Sequence, residues 1–233
     1  MKKHIFYTEV AYIVGLILIA AGVVFANKAD FGFSMIVAPA YLLHRWLSPT
    51  WSFFTFGMAE YCFQAVLLLL MILIIRRFRI SYIFSFFTAV LYGFILDGLM
   101  ALGAGLPADT IPLRILWYIV GLIITALGVA VIFRTYLSPE AYELFVMEIS
   151  SRFDLDIHRF KIVYDYSSCL VGILMSFAIF GMWKFVGVSW GTIVCALVNG
   201  LLIKRVSAFL DKHFHFRDAF PWRKFFTGRG QAQ

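Results

Sequence analysis

Apolar residues run along the chain in long blocks, and charged residues fall mostly between the blocks. Six blocks, at roughly 9–29, 52–75, 80–103, 114–136, 159–183 and 187–210, approach the length of about 20 residues at which a helix crosses hydrocarbon. The pattern predicts an all-α membrane protein with six transmembrane helices. Two stretches interrupt it. Between the first and second spans lies "FGFSMIVAPAYLLHRWLSPT", broken by Gly32 and Pro39 yet too apolar for an ordinary loop, which predicts a half-helix or re-entrant segment over 33–46. Between the fourth and fifth spans lies "LSPEAYELFVMEISSRFDLD", where Ser138 and Pro139 are placed as N-cap and first helical residue. Tyr142, Phe145, Val146 and Ile149 follow at helical spacing, with Glu140, Glu143 and Glu148 as the polar positions. A short helix over 138–152 is expected, flat in the interface or re-entrant, both remaining open.

The pattern also repeats. "YIVGLILIAAGV" from Tyr12 returns as "YIVGLIITALGV" from Tyr118, and Lys28 falls on Arg134 in the same register. With a shift of one residue, Glu60–Tyr61 falls on Asp165–Tyr166, and "AVLYGFILD" from Ala89 falls on "ALVNGLLIK" from Ala196. Residues 1–106 and 107–211 therefore read as two units of three spans, each with a short helix after its first span, followed by a basic, aromatic tail over 212–233. An odd number of spans per unit turns the second unit over, so the units should be inverted repeats about an axis in the membrane plane. Gly15 and Gly22, like Gly121 and Gly128, recur on one helical face and predict close packing of the first and fourth spans.

Composition agrees, with 62% hydrophobic and 14% charged residues and a mean hydropathy of +0.89. The formal charge of +7 sits in short loops and in the tail, where it faces lipid headgroups, so nucleic acid is not expected as a partner. Lys2, Lys3, Arg76, Arg77, Arg79 and a cluster after the fourth span mark the inner side, which places both termini in the cytoplasm. The N-terminal "MKKHIF" and the apolar run after it imitate a secretory signal, but the mid-chain copy of that run favours a retained helix. Cys62, Cys169 and Cys195 lie in apolar runs with no ligand spacing, and His213 and His215 are two apart. Neither a metal nor a cofactor is expected.

Chemistry in such a chain belongs to ionisable groups within spans, since a charge deep in the bilayer must be paired, neutral or hydrated. Glu60 and Asp165 are equivalent by the repeat and should approach the midplane from opposite faces; Asp97, matched to Lys204, lies nearer a span end. Tyr61, Tyr166 and Gln64 are candidate partners of the two carboxylates, and Asn27, Tyr92 and Asn199 candidate polar lining. The alternative for each is a structural hydrogen-bonding role. Lys28 and Arg134 at span ends are expected to snorkel, and their symmetry leaves room for anion or carboxylate contacts.

The first unit's "GLILIAAGVVFANKADFGFS", the half-helix after it and "YGFILDGL" late in span three resemble the YczE/YitT group of bacterial integral membrane proteins. The resemblance implies a bacterial plasma-membrane protein and supplies no catalytic residue or substrate. Gly32 and Ser34 of the first unit become Ser138 and Glu140 in the second. Three functions are compatible with these features: a small secondary transporter, proton-linked through Glu60 and Asp165; a channel-like pore; and a scaffold or accessory subunit without flux. An enzyme is the least favoured, because no nucleophile–base pair stands out. The expected partners are the bilayer, a small solute for which an aromatic-rich, carboxylate-bearing interior suits an organic cation or an amphipath, and a second copy in a homodimer.

Overall fold

The structure, a computed structural model, describes residues 4–184 and 186–220. Six long helices carry the fold: α1 (Thr8–Ala29), α3 (Phe56–Ile75), α4 (Ile80–Gly103), α5 (Ile111–Ile132), α7 (Ile157–Phe180) and α8 (Trp190–His213). Each is long and apolar enough to cross a membrane. Two short helices, α2 (Ala38–Leu47) and α6 (Ala141–Arg152), follow α1 and α5. Span boundaries shift by a few residues where capping groups decide them. Thr55 starts α3 by accepting the Met58 N–H at 3.1 Å, and Ser189 and Thr192 form a capping box at α8.

The most extensive packing is between α1 and α5, and glycines set its closeness. Gly22 meets Gly121 and Gly15 meets Gly128, so the two helices run antiparallel. A Cβ placed on Gly22 would lie 2.9 Å from the Gly121 carbonyl, and one on Gly121 would lie 2.9 Å from the Gly22 carbonyl. Lipid-immersed helices gain their contact from such small faces, because no hydrophobic effect draws them together. Gly57 and Gly93 join α3 to α4 in the same way. Among the described residues no comparable packing joins α7 to α8.

The short helices settle the choice between flat and re-entrant. Ser85 Oγ donates to the Pro139 carbonyl at 2.7 Å, which holds the start of α6 about 8 Å along α4 from its Ile80 end. Arg79, at that end, pairs with Glu148 at 2.8 Å. So α6 runs lengthwise beside α3 and α7, from the interior to the face where α4 begins. Likewise α2 starts beside Gly172 of α7, about 12 Å inside the Phe180 end of that helix, and packs on α3 and α7. Both are re-entrant half-helices whose N-termini point into the protein.

The expected N-cap at Ser138 is corrected to Glu140. Tyr12 OH and Thr88 Oγ1 are 2.6 Å apart, and Thr88 Oγ1 donates on to the Ser138 carbonyl at 3.1 Å. Together with Ser85, these hydroxyls hold 138 and 139 in place ahead of the helix, so α6 begins two residues late. The first half-helix is entered differently. Gly32, at φ +98, lies so close to Ser189 and Thr192 of the α8 cap that a side chain would collide with them.

Two short strands, β1 (His4–Tyr7) and β2 (Phe214–Arg217), pair in parallel and put both described ends on one face. Glu9 fastens this clasp by accepting from Tyr136 OH at 2.7 Å and from the backbone N–H groups of Ala219 and Phe220. The tail residues 221–233 lie outside the described residues.

Candidate functional site

Glu60 is fully buried on α3. Its neighbour Gly57 packs against Gly93 and bonds Asp97, and α4 continues beyond Asp97 to Gly103, which sets Glu60 roughly 13 Å below the α4 end by helical rise. One carboxylate oxygen accepts from Tyr142 OH at 2.8 Å; the other, Oε1, has no hydrogen-bond partner among the described residues. One turn along α3, Gln64 is equally buried and is used at both ends of its amide. Its Oε1 accepts the Ala141 N–H at 3.0 Å, capping α6 from another helix, and its Nε2 donates to Glu140 Oε2 at 3.2 Å.

Glu140, read from the sequence as a polar position on a short helix, is instead 8% exposed, and its Oε1 also lacks a partner. The α6 half-helix is outside the spanning segments, and burial pushes its Glu140 carboxyl well above the usual carboxylate range, with the charges of Glu143 and Glu60 adding to the effect. Burial also raises Glu143, against the pull of the Lys161 ammonium. The positive end of the α6 dipole thus meets two buried carboxyl groups, one bonded by Gln64 and the other by Tyr142. Tyr92 of α4 is buried within electrostatic reach of both.

A second group lies on α7. Lys161 is 3.0 Å from Asp165 and 4.0 Å from Glu143, and its ammonium sits over the Tyr164 ring. These three charged side chains are 23–32% exposed. Asp165, expected to mirror Glu60, is therefore an ion-paired, part-exposed group, and no hydrogen bond joins it to Glu60 among the described residues.

The remaining candidates separate. Asp97 accepts Thr55 Oγ1 at 2.6 Å and the Gly57 N–H at 2.7 Å, tying the start of α3 to α4. Tyr61 packs beside Gly93. Tyr166 faces outward at 64% exposure, away from Asp165's ion pair. Asn199 Oδ1 is buried without a partner, and Asn27 reaches only the Met100 sulfur at 3.8 Å. Lys28 and Arg134 do more than snorkel: Lys28 donates to the Ala104 carbonyl at 2.7 Å, and Arg134 binds Asp211 and the Ser207 carbonyl. Among the described residues no three His, Cys, Asp or Glu side chains are grouped to hold a metal ion.

Glu140 and Tyr142 are the members of the buried cluster absent from the sequence-based set. The usable signal was the repeat register, which puts Glu140 on Ser34 at the mouth of a half-helix. In comparison with known proteins, the sequence pattern of DUF6198, a family of unknown function, matches residues 6–208. No curated protein and no solved structure matches the chain.

Proposed function

We propose that this chain, which belongs to the DUF6198 family, is a small secondary transporter that links the movement of a small organic solute, cationic or amphipathic, to a proton. The observation that carries the reading is the α6 half-helix, whose N-terminus enters the interior against the fully buried Glu60. Half-helix ends at mid-depth are how transporters place a charged group between two faces. A buried carboxylate with one unbonded oxygen is costly to keep unless it exchanges something.

The reading includes an inverted repeat. Its support is reciprocity: residues paired by the repeat, Gly15 with Gly121 and Gly22 with Gly128, meet crosswise in the α1–α5 contact, as a two-fold axis requires. The α3–α6 and α2–α7 contacts correspond in the same way, and Lys28 and Arg134 each tie the end of their own helix to the end of the unit's last helix. The kinship to the YczE/YitT group belongs to this reading, and with it a place in the bacterial cell membrane with both termini cytoplasmic. No enzymatic step is assigned to the chain.

A thermal-shift screen of the solubilised protein against metabolite pools identifies the solute, because a ligand of the folded state raises the melting temperature. Uptake of that solute into proteoliposomes should saturate and depend on pH. Unsaturable flux would make the chain a pore. No flux, with a partner that co-purifies stoichiometrically, would make it an accessory subunit.

A further inference from the structure

We propose that Glu60 and Glu140, which meet beside Gln64 and Tyr142 at the N-terminus of α6, form one binding site that holds a single shared proton. Among the described residues each carboxyl has one oxygen bonded and one not: Tyr142 donates to Glu60 Oε2 and Gln64 donates to Glu140 Oε2, while both Oε1 atoms are buried without a hydrogen-bond partner. Two ionised carboxylates here would put like charges side by side in a medium that screens them weakly. Two neutral ones would leave the positive end of α6 without its counter-charge. One proton on the pair leaves one negative charge for the dipole, with one neutral carboxyl beside it. It also gives a use to the free oxygens, one of which takes the proton.

Among the described residues no cation pairs with Glu60 or Glu140. Tyr12 on α1, Tyr92 on α4, Tyr142 on α6 and Tyr164 on α7 lie within electrostatic reach of one or both carboxyls, and Glu143 adds a further acid on α6. Lys161 on α7 is committed to Asp165 and Glu143. Gln64 holds Glu140 in place, since turning its amide over would uncap Ala141 and break the bond to Glu140. The site supplies the proton position that the transport reading requires and to that extent rests on it. Its test needs no transport.

The full chain in lipid nanodiscs is titrated while the protonated-carboxyl C=O stretch is followed by infrared spectroscopy, for wild type, Glu60→Gln, Glu140→Gln and the double variant. A shared proton predicts two wild-type steps more than about one pH unit apart, with the upper step missing from both single variants and both steps missing from the double. Independent groups predict that each single variant loses one step and leaves the other where it was, which would overturn the proposal. Should a Gln variant not fold, Glu60→Ala or Glu140→Ala is titrated in its place and read by the same criterion. One wild-type step of double amplitude, or no protonated carboxyl at all, also rules the shared proton out. A positive titration in a chain that moves no solute would sink the transporter reading and leave the proton site standing.

Discussion

Asp97 and Glu60 are both carboxylates in apolar helices, and their hydrogen bonds separate their roles. Asp97 accepts two good bonds that hold the start of α3 to α4, so Asp97→Ala should cost about 1–3 kcal/mol of stability. A lower melting temperature with the infrared carboxyl steps unchanged would be the expected outcome; a lost step would give Asp97 a part in proton binding. Glu60 stood out in the sequence because a charge within an apolar run is conspicuous. Glu140 did not, because it sits in a polar stretch before a short helix, and nothing local tells a buried loop from an exposed one. Its burial comes from Ser85, Thr88 and Tyr12, which draw residues 138 and 139 inward from two other helices. Asp165 has surroundings unlike those of Glu60, because Lys161, one turn away on the same helix, pairs with it.

The long helices and their glycine faces were legible, because span length and small-residue spacing are set by the bilayer and by close approach, both local to one helix. The glycines also give a paired prediction for the elements they join. A methyl group on Gly57 would overlap the Gly93 backbone carbonyl, whereas one on the repeat counterpart of Gly93, Gly200, meets nothing within 4 Å. Gly57→Ala should therefore destabilise by about 1–3 kcal/mol, and Gly200→Ala should stay within roughly 0.5 kcal/mol of wild type or gain a little helix propensity. Thermal denaturation of both variants checks this; equal shifts would mean that α7 and α8 pack as α3 and α4 do. That difference between the halves could not be read from the sequence, since Gly93 and Gly200 occupy matching places in it. The β1–β2 clasp was missed too, because four-residue strands at opposite ends of the chain find each other only after α1, α5 and α8 have been brought together.

At the scale of the molecule, both described ends lie on one face, and the proposed reading takes that face, from its basic loops, as the cytoplasmic one. A reporter active only in the cytoplasm should work after Arg77 or Gln233 and fail after Ala108. Activity at Ala108 would break the three-span parity behind the inverted repeat. The central claim is that this fold exists to move a solute with a proton carried at Glu60, and Glu60→Gln keeps the shape of the side chain while removing its titration. The measurement is transport of the solute found by thermal shift, in proteoliposomes containing wild type or Glu60→Gln, as equilibrium exchange and as uptake driven by a pH gradient. Proton coupling at Glu60 predicts exchange near the wild-type rate with gradient-driven uptake abolished. Gradient-driven uptake that survives in Glu60→Gln, or that falls in step with exchange and melting temperature, would contradict the claim and leave Glu60 a structural group.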